Sequence, residues 1–183
     1  MHLIFEACDA GGKTTTIEKL QEKLGWKVIK GSSFELAKLD SLGLIKAFHD
    51  MTLDNYKENV IFDRFIYSNE VYAKMFNDYT LLSDDVRRAL EEDFPEQTYI
   101  IYLYANPEII KQRLLERGDD YISTDHVEKI MDGYSDAIDK TNIRVLFYNT
   151  GQRSADDIVD SIIRIIEEES EWVAYIMTMY TKS

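Results

Sequence analysis

The chain is poor in cysteine, in basic residues and in long apolar runs, and each shortage excludes a class of protein. Its single cysteine, Cys8, rules out an intrachain disulfide and fits a reducing cytosol. No run of about 18 apolar residues occurs, so we expect no membrane-spanning helix. The N-terminus lacks the charged region and apolar stretch of a signal peptide. The sequence therefore predicts a cytoplasmic protein, or one of the host cytoplasm if the chain is viral.

Acidic side chains dominate the charge. The 183 residues include 34 Asp and Glu against 21 Lys and Arg, a formal net charge of −13. Such a chain repels a nucleic-acid backbone, so nucleic-acid binding is not expected as its main activity. No His/Cys grouping suits zinc. If the ligand is a polyanion, the chain must gather its few basic residues locally.

Short apolar runs alternate with helical patterns along the chain. The runs predict five strands at residues 3–5, 26–29, 60–62, 99–104 and 143–148. Helices are predicted at residues 13–24, 33–53 and 127–138, and others begin near Ser83, Pro107 and Ser154. There is no repeat and no Pro/Ser-rich linker. The pattern predicts one α/β domain over residues 1–183, with a five-stranded parallel sheet covered by helices on both faces.

Residues 7–14, Ala-Cys-Asp-Ala-Gly-Gly-Lys-Thr, directly follow the first apolar run and form a phosphate-binding loop. Small residues allow backbone N–H groups to surround phosphate oxygens, and a helix starting near Lys13 adds the positive end of its dipole. Lys13 would contact the β- and γ-phosphates, and the Thr14 hydroxyl would ligate Mg²⁺. The candidate nucleotide-binding residues are Ala10, Gly11, Gly12, Lys13, Thr14 and Thr15. The loop predicts a P-loop NTPase with a three-layer sandwich fold, in which Ala7 replaces the usual first glycine.

Two further charged groups follow in the chain. Asp63 and Arg64 come at the end of the third predicted strand, where ligands of parallel sheets bind. Asp63 can bind Mg²⁺ or accept a proton, and Arg64 can grip a phosphate; the alternative is a structural ion pair. Arg113 and Arg117 share one helix face before residues 118–121. They predict a lid over about 113–124, the alternative being ordinary solvated charge.

The whole set of motifs resembles the thymidylate kinase family. Residues 63–72, Asp-Arg-Phe-Ile-Tyr-Ser-Asn-Glu-Val-Tyr, are similar to its Asp-Arg-Tyr-x-x-Ser-x-x-Ala-Tyr signature. The phosphate loop with its Asp, the Asn106-Pro107 helix start and the segment after the last strand also match. The resemblance implies a P-loop nucleoside monophosphate kinase that uses ATP and Mg²⁺ to phosphorylate dTMP or a related pyrimidine deoxynucleotide.

The resemblance also implies residue roles. Asp9 would accept a hydrogen bond from the 3′-hydroxyl of the acceptor, and Tyr72 would disfavour a 2′-hydroxyl. Arg64 would bind the acceptor phosphate, and Asp63 would organise the metal or that phosphate. Gly151, in the segment 149–151, would lie against adenine. The lid would contribute the arginines at positions 113 and 117.

Some positions depart from the family pattern. The Arg-Glu-Pro-Gly segment after the second strand is replaced at residues 30–34 by Lys-Gly-Ser-Ser-Phe, and Ala73 stands where a Gln is expected. Phe48 is the remaining candidate for stacking on the base, but no arginine follows it at residues 49–52. A modified pyrimidine or a broad range of bases therefore stays open.

Three other functions stay open beside the kinase of monophosphates. One is a deoxynucleoside kinase, although such enzymes usually carry Glu-Arg where this chain has Asp63-Arg64. The others are a GTP-dependent switch, disfavoured by the lack of an Asn-Lys-x-Asp motif, and an inactive nucleotide-binding module. In each case the expected partners are small-molecule nucleotides. The apolar helical extension at about 171–183 is expected to pack on the core or on a second subunit, as in a homodimer.

Overall fold

A computed structural model describes residues 1–118 and 123–180, with side chains up to residue 173. It contains five strands: β1 (His2–Ala7), β2 (Lys27–Lys30), β3 (Val60–Asp63), β4 (Thr98–Tyr104) and β5 (Arg144–Asn149). The strands form one parallel sheet in the order β2-β3-β1-β4-β5. The predicted α/β class is confirmed, and β2 begins one residue later than the sequence indicates.

Eight helices surround the sheet in the described part of the chain. They are α1 (Lys13–Leu24), α2 (Phe34–Ala37), α3 (Ser41–Asp54), α4 (Ile66–Ala73), α5 (Asp84–Glu92), α6 (Pro107–Arg117), α7 (Val127–Asp139) and α8 (Ala155–Tyr180). A 3₁₀ turn (Thr124–His126) leads into α7. No helix in the described residues is both long and apolar enough to cross a membrane.

The sheet separates two hydrophobic layers, because successive side chains of a strand point to opposite faces. On β1, Ile4 faces a core shared with α3, α4, α5, α6 and α7. Its neighbours Leu3 and Phe5 face the other core, which α1 and α8 cover. These three side chains are at most 1% exposed. The central strand is thus fixed on both faces, and its carboxyl end is held firmly where the phosphate loop begins.

The single helix predicted over 33–53 is wrong. The chain forms α2, breaks after Ala37 and restarts as α3. The break arises because two polar side chains cap separate helices: Ser33 Oγ accepts from the Leu36 N–H at 3.2 Å, and Asp40 Oδ1 accepts from the Gly43 N–H at 2.8 Å. This break places Phe34 on a short separate helix.

One helix was missed from the sequence, and the C-terminal extension lies only partly within the described residues. Helix α4 was not predicted, because its residues are buried on most sides and show little amphipathic periodicity. The C-terminal extension continues α8 to Tyr180, and residues 181–183 lie outside the described part of the chain. Trp172 is 60% exposed. The packing of this extension on the core or on a second subunit stays a prediction.

Replacement of the α3 cap should destabilise the protein measurably. Asp40→Ala removes the acceptor for the Gly43 N–H and should lower the free energy of unfolding by about 1 kcal/mol. Asp40→Asn keeps a capping oxygen and serves as the matched control. Chemical denaturation followed by circular dichroism measures both, and equal stabilities of the two variants would contradict the cap.

Candidate active site

A cleft of about 960 Å³ opens at the carboxyl ends of the strands. It brings together the phosphate loop after β1, residues 30–34 after β2, the end of β3, helix α4, helix α6 and the segment after β5. Most of the predicted site residues line it: Asp9, Ala10, Gly11, Gly12, Lys13, Thr14, Thr15, Asp63, Arg64, Tyr72, Arg113 and Arg117. Residues from six chain segments thus meet where a parallel sheet binds ligands.

The cleft carries the opposite charge from the chain. Its acidic lining residues are Asp9 and Asp63, within the described part of the chain. Its basic lining residues are Lys13, Lys30, Arg64, Arg113, Arg117 and Arg153. The predicted local gathering of basic residues is therefore confirmed, in a chain whose net charge is −13. Such a cleft attracts polyanions while the remaining surface repels them.

The phosphate loop has the backbone that small residues allow. Gly12 has φ 89° and Ala10 has φ 58°, both in the left-handed region. A Cβ at Gly11 would lie 2.7 Å from the carbonyl oxygen of Cys8, so the tight turn has no room for a side chain. Helix α1 starts at Lys13. The free N–H groups of the first turn of this helix therefore face the cleft.

Lys13 and Asp63 form an ion pair between the phosphate loop and the end of β3. Burial and the nearby Arg64 charge lower the pKa of Lys13, and Asp63 opposes that shift. A bound nucleotide phosphate would replace Asp63 as the partner of Lys13. Asp63 would then be released to face a cation or a reacting oxygen.

Arg64 stands in an unusual conformation, with φ 64°. The end of β2 explains part of it: a Cβ on Gly31 would lie 2.2 Å from the Arg64 carbonyl oxygen, so only glycine permits this approach. The guanidinium donates to Asp9 Oδ1 at 2.8 Å and to the Tyr134 hydroxyl at 2.7 Å. It is thereby held at the cleft wall beside the phosphate loop.

Asp9 accepts hydrogen bonds from two side chains at the wall of the cleft. Besides Arg64, the Tyr72 hydroxyl donates to its second oxygen, Oδ2. The Arg64 guanidinium also lies over the Tyr72 ring, with Cζ 5.2 Å from the ring centroid. The three residues that the family resemblance assigns to the acceptor are therefore brought into direct contact.

Two buried residues behind Arg64 escaped the sequence analysis. Glu6, on β1, accepts from the Phe65 N–H at 2.9 Å and from the Ser68 hydroxyl. Tyr134, on α7, bonds to both Arg64 and Ser68. Burial raises the pKa of Glu6 to about 7, and its hydrogen bonds with Ser68, the Arg64 charge and the Phe65 N–H oppose this only in part. A glutamate inside an apolar strand was the one available signal.

Arg113 connects helix α6 to the segment after β5. Its guanidinium donates to the Thr150 hydroxyl at 3.0 Å and to the Thr150 carbonyl oxygen at 2.8 Å. Arg117 lines the cleft one turn further on. Of the predicted lid, residues 119–122 lie outside the described residues. Gly151 does not line the cleft, whereas its neighbours Thr150 and Arg153 do.

Phe48 requires a correction. The structure places this ring in the core, 0% exposed, with its centroid 4.9 Å from that of Phe65 in an edge-to-face contact. A ring without accessible surface cannot stack on a ligand, so the interpretation of Phe48 as a base-stacking residue is wrong. The apolar side of helix α3 turns it inward. Other aromatic residues line the cleft: Phe34, Tyr72, Phe76 and Tyr79.

The donor set of the cleft suits a magnesium ion shared with phosphates. Within the described residues no group of three His, Cys, Asp or Glu side chains could hold a metal by itself. Thr14 and Asp63 both line the cleft beside Lys13. Mg²⁺ is commonly bound by one or two protein oxygens together with substrate phosphates and water. The residues present fit that mode of binding.

Fold and cleft together define a P-loop kinase that acts on nucleosides or nucleotides. The family model described as "Deoxynucleoside kinase" matches residues 33–174. The chain belongs to the deoxynucleoside kinase family. Thymidylate kinases are also among its relatives, at 24% to 30% identity. The resemblance found in the sequence is therefore confirmed at the level of nucleotide kinases.

Individual relatives support this placement. The SPbeta prophage-derived uncharacterized protein YorR of Bacillus subtilis is 38% identical over 165 residues, which cover 90% of this chain and 98% of YorR. Its crystal structure, in complex with phosphorylated GDP, matches with a TM-score of 0.86 at 37% identity over 93% of this chain and 98% of that one. The thymidylate kinase of Campylobacter lari is 30% identical over 70% of this chain and 76% of its own length. A deoxyadenosine kinase from M. mycoides shares the fold, with a TM-score of 0.63 at 15% identity over 91% of this chain and 99% of that one.

The raised pKa of Glu6 predicts a pH-dependent stability. Glu6 binds its proton more tightly in the folded than in the unfolded chain, so the free energy of unfolding should fall as pH rises from 4.5 to about 7. The loss attributable to this group is about 3 kcal/mol. Denaturation at several pH values, compared with Glu6→Gln, measures it. The exposed Glu22→Gln should follow the wild type, and parallel curves for Glu6→Gln and wild type would contradict the assignment.

Proposed function

We propose that the protein transfers the γ-phosphoryl group of ATP to a deoxynucleoside monophosphate, dTMP or a related pyrimidine nucleotide, and releases the diphosphate. The observation that carries the proposal is the position of Arg64. This cation lines the cleft at the end of β3, bonded to Asp9, and adds a second positive charge close to that of Lys13. An uncharged nucleoside would give it no anion to bind, whereas a monophosphate would.

The state of the cleft carboxylates also favours a phosphate acceptor. A nucleoside kinase must remove a proton from a sugar hydroxyl, which calls for a carboxylate able to act as a base. Asp9 is already bonded to Arg64 and Tyr72, and Asp63 is paired with Lys13. A monophosphate oxygen needs no base, because it is already a nucleophile, and positioning with charge neutralisation can supply the catalysis.

A deoxynucleoside kinase is the second candidate, and the family match over residues 33–174 favours it. In that case Asp63 would be the base once Lys13 moves to the ATP phosphates. The two candidates share the donor site and differ only in the acceptor.

We assign the donor side to ATP and Mg²⁺. The nucleotide phosphates would be held by the backbone and side chains of Ala10, Gly11, Gly12, Lys13, Thr14 and Thr15. Thr14 and Asp63 would hold Mg²⁺, which neutralises phosphate charge when bound. Arg113 and Arg117 would contact the phosphoryl group in transfer, and Gly151 would lie near adenine. The complex of YorR with phosphorylated GDP supports a nucleotide in this cleft.

The acceptor sugar and base would lie on the opposite wall. Asp9 would accept from the 3′-hydroxyl, and Tyr72 would crowd a 2′-hydroxyl. The base would stack against Phe34, which is 47% exposed and lies edge-on to Tyr79 with ring centroids 6.3 Å apart. The whole chain, residues 1–183, would act as a single kinase domain with a lid over about 113–124.

Thr80 ties the two segments that carry these rings. The Thr80 N–H donates to the Ala37 carbonyl oxygen at 2.8 Å. The Thr80 hydroxyl donates to the Leu39 carbonyl oxygen at 2.5 Å. The Asn69 side chain donates to the Thr80 carbonyl oxygen at 2.9 Å. Helix α2 and the segment after α4 are therefore fixed to each other, which supports a base site formed between them.

One assay separates the candidate functions. Purified protein with Mg-ATP is offered each deoxynucleoside and each deoxynucleoside monophosphate, and ADP release is measured. We expect turnover with monophosphates, strongest for a pyrimidine. Turnover with nucleosides alone would select the second candidate, and ATP binding without any turnover would indicate an inactive module. Lys13→Ala should abolish transfer, because it removes the cation on the donor phosphates.

Removal of the Phe34 ring should weaken binding of the acceptor and leave binding of ATP unchanged. Phe34→Ala should raise the KM of the acceptor about tenfold, since stacking on an aromatic ring contributes about 1–3 kcal/mol per base. The KM for ATP should stay unchanged. Phe147→Ala, an exposed ring on β5, is the control for loss of an aromatic surface. An unchanged acceptor KM in Phe34→Ala would place the base elsewhere.

A further inference from the structure

Arg64 is held by two carboxylates on opposite sides. Asp9, at the cleft, accepts a hydrogen bond directly from the Arg64 Nη2 group at 2.8 Å. Glu6, behind the cleft, is reached only through other side chains. Arg64 Nη1 donates to the Tyr134 hydroxyl at 2.7 Å and, over a longer distance, to Ser68 Oγ at 3.3 Å. The Tyr134 hydroxyl lies 2.7 Å from Ser68 Oγ, and Ser68 bonds to Glu6. The same Nη1 group donates to the Ala7 carbonyl oxygen at 3.1 Å and to the Tyr72 hydroxyl at 3.3 Å. The guanidinium therefore has Asp9 as the carboxylate partner at the cleft and Glu6 as the carboxylate partner behind it.

The number of available protons fixes the direction of the hydrogen bonds that lead from Arg64 through Tyr134 and Ser68 to Glu6. An ionised glutamate can only accept, so the single hydroxyl proton of Ser68 goes to Glu6. Ser68 Oγ must then accept from the Tyr134 hydroxyl, whose proton is used in that bond. The oxygen of Tyr134 is left to accept from Arg64. The result is a one-way relay from the guanidinium to the carboxylate.

The relay lies entirely inside the protein. Glu6 and Tyr134 are 0% exposed and do not line the cleft, and Ser68, which borders the cleft, is 1% exposed, so water hardly competes for their bonds. Each member comes from a different element: Glu6 from β1, Ser68 from α4 and Tyr134 from α7. The relay thus connects the sheet with two helices at the point where Arg64 leaves β3.

The two anchors differ once an acceptor binds. A sugar hydroxyl that bonds to Asp9 competes with Arg64 and Tyr72 for the same two oxygens. The bonds of Glu6 and Tyr134, which do not line the cleft, are not open to such competition. We propose that Glu6, acting through Ser68 and Tyr134, is a positioning residue. It keeps the Arg64 guanidinium in place for the acceptor phosphate after the sugar hydroxyl has bonded to Asp9. This inference rests on the proposed function, in which the acceptor carries a phosphate.

Tyr134→Phe tests the relay with minimal change in shape, because only the central hydroxyl is removed. At a pH above 7, where Glu6 is ionised, we expect kcat/KM for dTMP to fall about tenfold to a hundredfold, since a hydrogen bond to a charged group is lost. The KM for ATP should not change. Glu6→Gln, which keeps an acceptor oxygen but no charge, should give a smaller loss of the same kind.

Tyr67→Phe is the matched control. Its hydroxyl is also buried on α4, with partners Glu91 at 3.1 Å and Thr141 at 3.0 Å, and it does not touch Arg64. Removal of this hydroxyl should lower stability without a selective change in the dTMP parameters. Equal changes in the dTMP and ATP parameters of Tyr134→Phe, or no change in either, would overturn the relay as a positioning device.

A second readout does not depend on the reaction. In ¹⁵N spectra of the arginine side chains, identified by their loss in Arg64→Lys, the two Nη groups of Arg64 should give separate signals because the relay hinders rotation. Exchange between the two signals should be faster in Tyr134→Phe, in which the longer bonds of Nη1 to Ala7, Ser68 and Tyr72 remain, and unchanged in Tyr67→Phe. Equal exchange rates in all three proteins would refute the anchoring of Arg64 by Tyr134. A wild-type protein that turns over nucleosides alone would instead refute the proposed function, and the spectra would still decide the anchoring.

Discussion

The contact between Arg64 and Asp9 organises the rest of the site. It joins the residue after β3 to the phosphate loop after β1, and it requires Arg64 to adopt a left-handed backbone with φ 64°. Such a conformation costs free energy in a residue with a side chain, so its surroundings must compensate for it. Gly31 makes room for it at the end of β2, and the buried hydroxyl of Tyr134 accepts from the guanidinium. These contacts thus fix the wall of the cleft beside the phosphate loop.

The distribution of charge explains how an acidic chain can bind nucleotides. Excess carboxylates cover the outside, whereas six basic side chains and two acidic ones line the cleft. Anionic ligands are consequently drawn to one place. The Lys13–Asp63 ion pair keeps these two groups satisfied until a phosphate replaces Asp63. In the proposed function, the phosphate loop would hold the donor phosphates and Arg64 the acceptor phosphate, and Asp9 joins these two elements.

Local patterns predicted the frame of the protein, and long-range packing decided the remainder. Apolar runs predicted the five parallel strands, and the Gly-Gly-Lys-Thr sequence predicted where the nucleotide cleft lies, because backbone geometry and sequence are directly linked there. The break before α3 was missed because the Asp40 cap competes with an otherwise continuous helical pattern. Phe48 was misplaced because an aromatic ring on a helix looks the same in sequence whether it faces a cleft or the core. Glu6 and Tyr134 meet only in three dimensions, so no spacing in the sequence could pair them.

A crystal structure with ADP and dTMP bound tests the central claim most directly, since that claim concerns where the acceptor phosphate lies. The account predicts the dTMP phosphate within hydrogen-bonding distance of the Arg64 guanidinium and the 3′-hydroxyl at Asp9. It also predicts the ADP phosphates against Lys13, with Asp63 no longer paired to it. A dTMP phosphate bound away from Arg64, or a complex in which the sugar 5′-oxygen rather than a phosphate faces Asp63, would contradict the account.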